Sequence, residues 1–221
     1  MSERRIGAYG GTFDPVHNGH IEIARALVRK FDLDELLVIP AYCPPHKQAD
    51  AVSDAYHRYA MAVMATEGES RIFVSTVELQ SPERPYTFET LERLRERAGT
   101  EARWFFIMGA DSFIEFDSWR EPDRILASAN IIVAARTGSE IDISRLPDRF
   151  KSRVIELGER SCHKNQDAKE VDRNGLIYLT NYVREDVSST DIRRRVREGQ
   201  EVRSMVPSRV ADYMEKYGLY R

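Results

Sequence analysis

Short apolar runs, most of them rich in β-branched residues, recur along the chain at 6–9, 36–39, 72–74, 104–108, 131–135, 154–157 and 176–179. Between many of them the spacing of apolar residues changes to the threes and fours of a helix. Residues 21–31 place Ile21, Ala24, Leu27, Val28 and Phe31 on one face; 56–66 carry Tyr59, Ala60, Val63 and Met64; 88–98 carry Leu91, Leu94 and Arg95. Repeated strand-then-helix units predict an α/β fold, a doubly wound parallel sheet with right-handed crossovers. Ligands of such sheets sit beyond the carboxyl ends of the strands, where the strand order reverses. Gly10-Gly11, after the first run, lies at that end, and so does Gly109-Ala110-Asp111 after the fourth. A chain of 221 residues is long enough for one good core, which predicts a single domain over 1–221 with a helical subdomain at about 188–221.

Composition narrows the partners. With 31% charged residues and a net charge of −3, no global basic field points to nucleic acid, and the 33 Lys and Arg serve local anion sites. No apolar run approaches the length of a membrane span, and Met1-Ser2-Glu3-Arg4-Arg5 leads straight into a strand, so a cytoplasmic protein is expected. Cys43 and Cys162 are too few for a disulfide framework. With His46 and His163 they would make an unusual and strained zinc set, so no metal site is expected. Residues 158–174 are polar and aperiodic, a surface loop in this reading. The sequence leaves the oligomeric state open, a homo-oligomer included.

The chemistry concentrates in Gly10-Gly11-Thr12-Phe13-Asp14-Pro15-Val16-His17-Asn18-Gly19-His20. A strand ending in glycines and passing into a helix brings backbone N–H groups up to phosphates, helped by the partial positive charge of the helix N-terminus. His17 and His20 are three apart, so both imidazoles reach the same face at the helix mouth. Two neutral donors beside a phosphate suit phosphoryl or nucleotidyl transfer. A second candidate is Val187-Ser188-Ser189-Thr190-Asp191-Ile192-Arg193, where Ser188 reads as the N-cap of a helix over 191–198. Taken alone it is as readily a capped surface helix as a phosphate clamp. Pro44-Pro45-His46-Lys47 alone reads as a stiff loop ending in a solvated lysine, and Trp119 alone as a half-buried core aromatic.

Taken together, these segments resemble one family. The first string resembles the (T/H)xGH signature of the nucleotidylyltransferase superfamily, in the GGTFDPxHxGH form of nicotinate-mononucleotide adenylyltransferases. The second resembles that superfamily's ISSTxIR motif, with Val187 for the first Ile, and 44–47 resembles a PPHK segment. Pro85-Tyr86-Thr87-Phe88-Glu89-Thr90-Leu91 is similar to SYTxDTL, with Pro85 for Ser and Glu89 for Asp. Gly109-Ala110-Asp111-Ser112 with Phe116 and Trp119 is similar to GxDS…F…W. The resemblance spans nearly the whole chain apart from 158–174.

The resemblance implies a Rossmann-like nucleotidylyltransferase fold and a reaction in which ATP and nicotinate mononucleotide give deamido-NAD and pyrophosphate. It implies catalytic roles for His17, His20, Lys47 and Arg193. ATP would contact Gly10, Gly11, Thr12, Phe13, Gly19, Gly109, Asp111, Ser188, Ser189 and Thr190, with Mg2+ arriving on the nucleotide. Tyr86, Thr87 and Trp119 would hold the mononucleotide, and charge alone suggests that Arg120 favours the nicotinate carboxylate. The loop 42–50 is expected to move, because it carries Lys47 and has to admit ATP. Phosphopantetheine adenylyltransferases and cytidylyltransferases share the first motif in variant form but lack the other segments. A class I aminoacyl-tRNA synthetase core would need a tRNA-binding domain that 221 residues do not provide. A catalytically silent nucleotide sensor on the same scaffold is the reading from a different class.

Overall fold

The computed structural model describes residues 3–42, 52–81, 85–98, 101–136, 142–157, 175–183 and 187–221. Lys47 and the rest of 43–51 lie outside them, as do Cys162, His163 and the polar 158–174 stretch.

The chain runs β1 (Arg5–Gly11), α1 (Asn18–Lys30), β2 (Glu35–Pro40), α2 (Ala55–Ala65), β3 (Ile72–Val74), α3 (Thr87–Ala98) and β4 (Arg103–Gly109). It continues through α4 (Ala110–Ile114), α5 (Pro122–Ser128), β5 (Asn130–Arg136), α6 (Asp148–Lys151), β6 (Val154–Leu157), β7 (Ile177–Val183), α7 (Ser189–Arg197) and α8 (Ser208–Lys216). The strands form one seven-stranded sheet in the order β3-β2-β1-β4-β5-β7-β6, and every pairing is parallel. The expected doubly wound parallel sheet is thus present. Its order reverses between β1 and β4, whose carboxyl ends are Gly11 and Gly109.

Both faces of the sheet are covered, which is why its strands read as almost continuous apolar runs. Along β4, Trp104, Phe106 and Met108 enter the core on one face, while Phe105 and Ile107 enter the other. The first face packs against Phe88, Leu91 and Leu94 of α3 and against α5. The second packs against α1 and α2 and also takes in Ile192 of α7 and Val210, Ala211 and Met214 of α8.

Structure and expectation differ in detail. The last strand reaches Val183 rather than 179, and β7 inserts between β5 and β6. The periodicity also passed over α4, α5 and α6, which have 5, 7 and 4 residues and are too short to show a 3.6-residue repeat.

Candidate active site

The site grows from the turn between β1 and α1. Gly11 closes the strand with no room for a side chain, because a Cβ there would stand 2.8 Å from the ring of Phe13. Phe13 adopts φ +50, in the left-handed region, and its ring is buried. That ring packs edge-on against Tyr9 at 5.3 Å and against His20 at 5.0 Å. The Asp14–Pro15 bond is cis. His17 is the N-cap of α1, with extended backbone (φ −141, ψ 172), and Gly19 is buried in the first turn.

The two histidines lie together. Their rings stack at 3.6 Å with an interplanar angle of 27°, and the backbone N–H of His17 donates to His20 Nδ1 at 3.2 Å. A ring nitrogen that accepts a hydrogen bond carries no proton, so the neutral His20 ring holds its proton on Nε2. That leaves an N–H donor on the far side of the ring. His17 is buried, while His20 is partly open.

A second helix N-terminus docks on the same turn. Ser188 caps α7 by accepting the Asp191 N–H at 3.1 Å, Ser189 Oγ donates to the Pro15 carbonyl at 2.9 Å, and Arg193 Nη1 donates to the Asp14 carbonyl at 2.7 Å. Arg193 also donates to Thr190 Oγ1 at 3.3 Å. Ser189 and Arg193 therefore meet the glycine turn across more than 170 residues of sequence, with Ser188 and Thr190 beside them at the start of α7. Arg194 and Arg195 turn away and pair with Asp191, which leaves Arg193 as the inward-facing member of the run.

The pyridine-side candidates gather beyond β4. Trp119 is half-buried against Phe106 and Phe116 at 6.2 and 5.8 Å. Phe106 in turn limits Gly10, where a Cβ would stand 3.3 Å from its ring. The Arg120 guanidinium carbon lies 6.0 Å from the Tyr86 ring centre, and both side chains are exposed. Thr87 opens α3, and Glu89 folds back to accept the Tyr86 N–H at 2.7 Å, so the Glu in place of Asp still caps this helix start. Gly109 and Asp111 sit at the exposed start of α4. A Cβ on Gly109 would meet nothing within 4 Å, and its φ of −73 suits any residue, so the chain's own packing does not require glycine there.

Three residues escaped the sequence reading. Arg58 is 1% exposed and donates to the carbonyls of Thr12 (2.8 Å), Ser53 (2.9 Å) and Tyr42 (3.1 Å). Burial pulls its pKa down and the Asp14 carboxylate opposes that shift. Asp14 itself is 1% exposed. Glu78 accepts from the Tyr42 N–H at 3.1 Å and from Thr90 Oγ1 at 3.0 Å, bridging the exit of β2 and the first turn of α3. Asp14 stands inside the quoted motif, but α2 gives Arg58 no local signal, and Glu78 lies in an aperiodic stretch.

Residues 8–195 match the family described as cytidylyltransferase-like. A "probable nicotinate-nucleotide adenylyltransferase" of Roseiflexus sp. (strain RS-1) is 37% identical over 221 residues, covering 100% of both chains. One of Thermoanaerobacter sp. (strain X514) is 34% identical over 219 residues, 99% of this chain and 95% of its own. Among solved structures, a nicotinic acid mononucleotide adenylyltransferase of Plasmodium falciparum complexed with NaAD superposes with a TM-score of 0.72. Its 20% identity over 98% of this chain and 97% of its own makes that a likeness of fold. The chain belongs to the cytidylyltransferase-like family and groups with the nicotinate-nucleotide adenylyltransferases.

Proposed function

We infer that this protein transfers the adenylyl group of ATP to nicotinate mononucleotide, giving deamido-NAD and pyrophosphate, in the synthesis of NAD. The observation that carries the site assignment is the stacked His17–His20 pair at the switch point between β1 and β4, with His20 Nδ1 held by the His17 backbone N–H. The full-length relatives at 34 and 37% identity support the choice of substrates.

In this reading the 5′-phosphate of the mononucleotide attacks the α-phosphorus of ATP in line. The new O–P bond forms as the bond to the β-phosphate oxygen breaks, and pyrophosphate departs with the electron pair. A phosphate monoester is already anionic at neutral pH, so no general base is needed. The barrier lies in bringing two anions together and in the charge that builds on the bridging oxygen. We assign His20 to the α-phosphate and His17 to the support of the phosphates beside it. The turn at Gly10, Gly11, Thr12 and Phe13 supplies backbone contacts, and Gly19 keeps the start of α1 close.

Arg193 and Lys47 bear on the leaving pyrophosphate, Arg193 from the N-terminus of α7 where Ser188, Ser189 and Thr190 are fixed. Gly109 and Asp111 lie by the nucleotide sugar, which explains a glycine that the chain's own packing does not call for. Trp119 stacks on the pyridine ring, with Tyr86, Thr87 and Arg120 around it. Among the described residues no three His, Cys, Asp or Glu side chains come together as a metal cage. In this reading magnesium would enter with the substrate, as MgATP, and would neutralise the triphosphate. Among the described residues no helix is long and apolar enough to cross a membrane, and a cytoplasmic location goes with this reading.

The test is pyrophosphate release from MgATP with nicotinate mononucleotide, nicotinamide mononucleotide and phosphopantetheine offered separately. Release should strongly favour nicotinate mononucleotide. His20→Ala should lose about 10²–10³ in rate while staying folded. ATP binding without release for any acceptor would return the chain to the sensor class.

A further inference from the structure

Asp14 has no part in the reaction just described, although it sits in the middle of the phosphate turn with 1% of its surface exposed. Tyr220 Oη donates to its Oδ1 at 2.6 Å, and the Ser53 N–H donates to its Oδ2 at 3.3 Å. Arg193 Nη1 stands 4.0 Å from Oδ2 while donating to the main-chain carbonyl of the same residue at 2.7 Å. The guanidinium assigned to the triphosphate is thus anchored to Asp14 through the backbone and held short of a close ion pair with its carboxylate.

The backbone delivers Tyr220 to this place. Helix α8 ends in a Schellman motif: the Gly218 N–H reaches the Glu215 carbonyl at 3.2 Å, and the Leu219 N–H reaches the Met214 carbonyl at 3.0 Å. Gly218 has φ +60, and Tyr220 itself has φ +67, a left-handed conformation that costs a side-chain-bearing residue energy. Burial and the adjacent carboxylate push the Tyr220 hydroxyl well above its ordinary pKa, so it remains a proton donor. Packing accounts for the ring, which lies against the core beside Leu219. Packing does not account for the hydroxyl.

We propose that Tyr220 is a positioning residue for the triphosphate: its hydroxyl occupies Asp14 Oδ1 and so keeps Arg193 available to the phosphates. The proposal rests on the reading of Arg193 as a triphosphate ligand. Without the hydroxyl, the buried carboxylate loses its shortest donor. Of the two guanidiniums that face it, Arg58 is held by the carbonyls of Thr12, Ser53 and Tyr42, so Arg193, 4.0 Å from Oδ2, closes the remaining gap and gives up its charge to Asp14.

Tyr220→Phe tests this by calorimetric titration with MgATP and by steady-state kinetics with each substrate varied. The Kd and KM for ATP should rise roughly tenfold. The KM for nicotinate mononucleotide should stay within about twofold. In an Arg193→Ala background, Tyr220→Phe should change ATP affinity little, because the hydroxyl acts through Arg193. Equal loss for both substrates, unchanged ATP affinity, or full additivity with Arg193→Ala overturns the proposal alone. Wild-type protein that binds no ATP overturns the functional reading and the proposal with it.

Discussion

Arg120 and Glu78 are where single residues make testable differences. Arg120 lies exposed over Tyr86, next in sequence to Trp119, and the proposed function has it supply a cation to the pyridine substituent. Arg120→Ala should lower the preference for nicotinate over nicotinamide mononucleotide by about tenfold, one charge-assisted contact, with the KM for ATP unchanged. Unchanged selectivity would assign the discrimination elsewhere. Glu78 makes its difference through pH. Burial raises its pKa above the ordinary carboxylate value, against the opposing hydrogen bonds from Tyr42 and Thr90 and the charges of Arg58 and Arg93. The folded state therefore holds the Glu78 proton more tightly than the unfolded chain does. Its contribution to stability is fullest below the ordinary value and is lost as pH rises through the raised one. Glu78→Gln should flatten that part of a melting-temperature profile against pH. His17, His20 and Arg193 were legible because each stands in a contiguous motif. Arg58 and Glu78 were not, since a buried or half-buried charged side chain looks like a solvated one until its distant partners are known.

At the level of elements, the candidate site is built from helix starts, and their capping residues are where substitutions act. Ser188 accepts the Asp191 N–H, as its place before a polar helix predicts, but Asp191 does not fold back to complete a capping box because Arg194 and Arg195 take its carboxylate. Ser188→Ala should cost about 1 kcal/mol and lower the melting temperature by a few degrees. Gly109→Ala should behave in the opposite way. Open space around its Cβ and an ordinary φ predict unchanged stability, while under the proposed contact with the nucleotide sugar an added methyl group should weaken ATP binding in a titration. The long amphipathic helices were legible from their apolar period. In α4 the apolar positions never complete a second turn, and only the packing of Phe113 and Phe116 reveals how the chain leaves β4.

Over the whole molecule, the two halves of the candidate site come from opposite ends of the described chain and share one apolar cluster. Ile192, Val206, Val210 and Met214 pack in the same cluster as Leu27, Phe31 and Phe105. Unfolding should therefore be a single transition with equal calorimetric and van't Hoff enthalpies; a separate early transition would mark 188–221 as its own unit. The alternation of strands and helices made the parallel sheet legible. It could not show that β7 slips between β5 and β6, because strand order is decided by long-range packing. Arg58 joins three stretches of chain through the carbonyls of Thr12, Tyr42 and Ser53. Because one guanidinium fixes the chain at Tyr42 and again at Ser53, the length between those anchors is uncoupled from the register of the sheet. Doubling a loop costs only about 0.6 kcal/mol of closure entropy. The stretch between those anchors can thus change in length around Lys47 while Arg58 keeps its two ends in place.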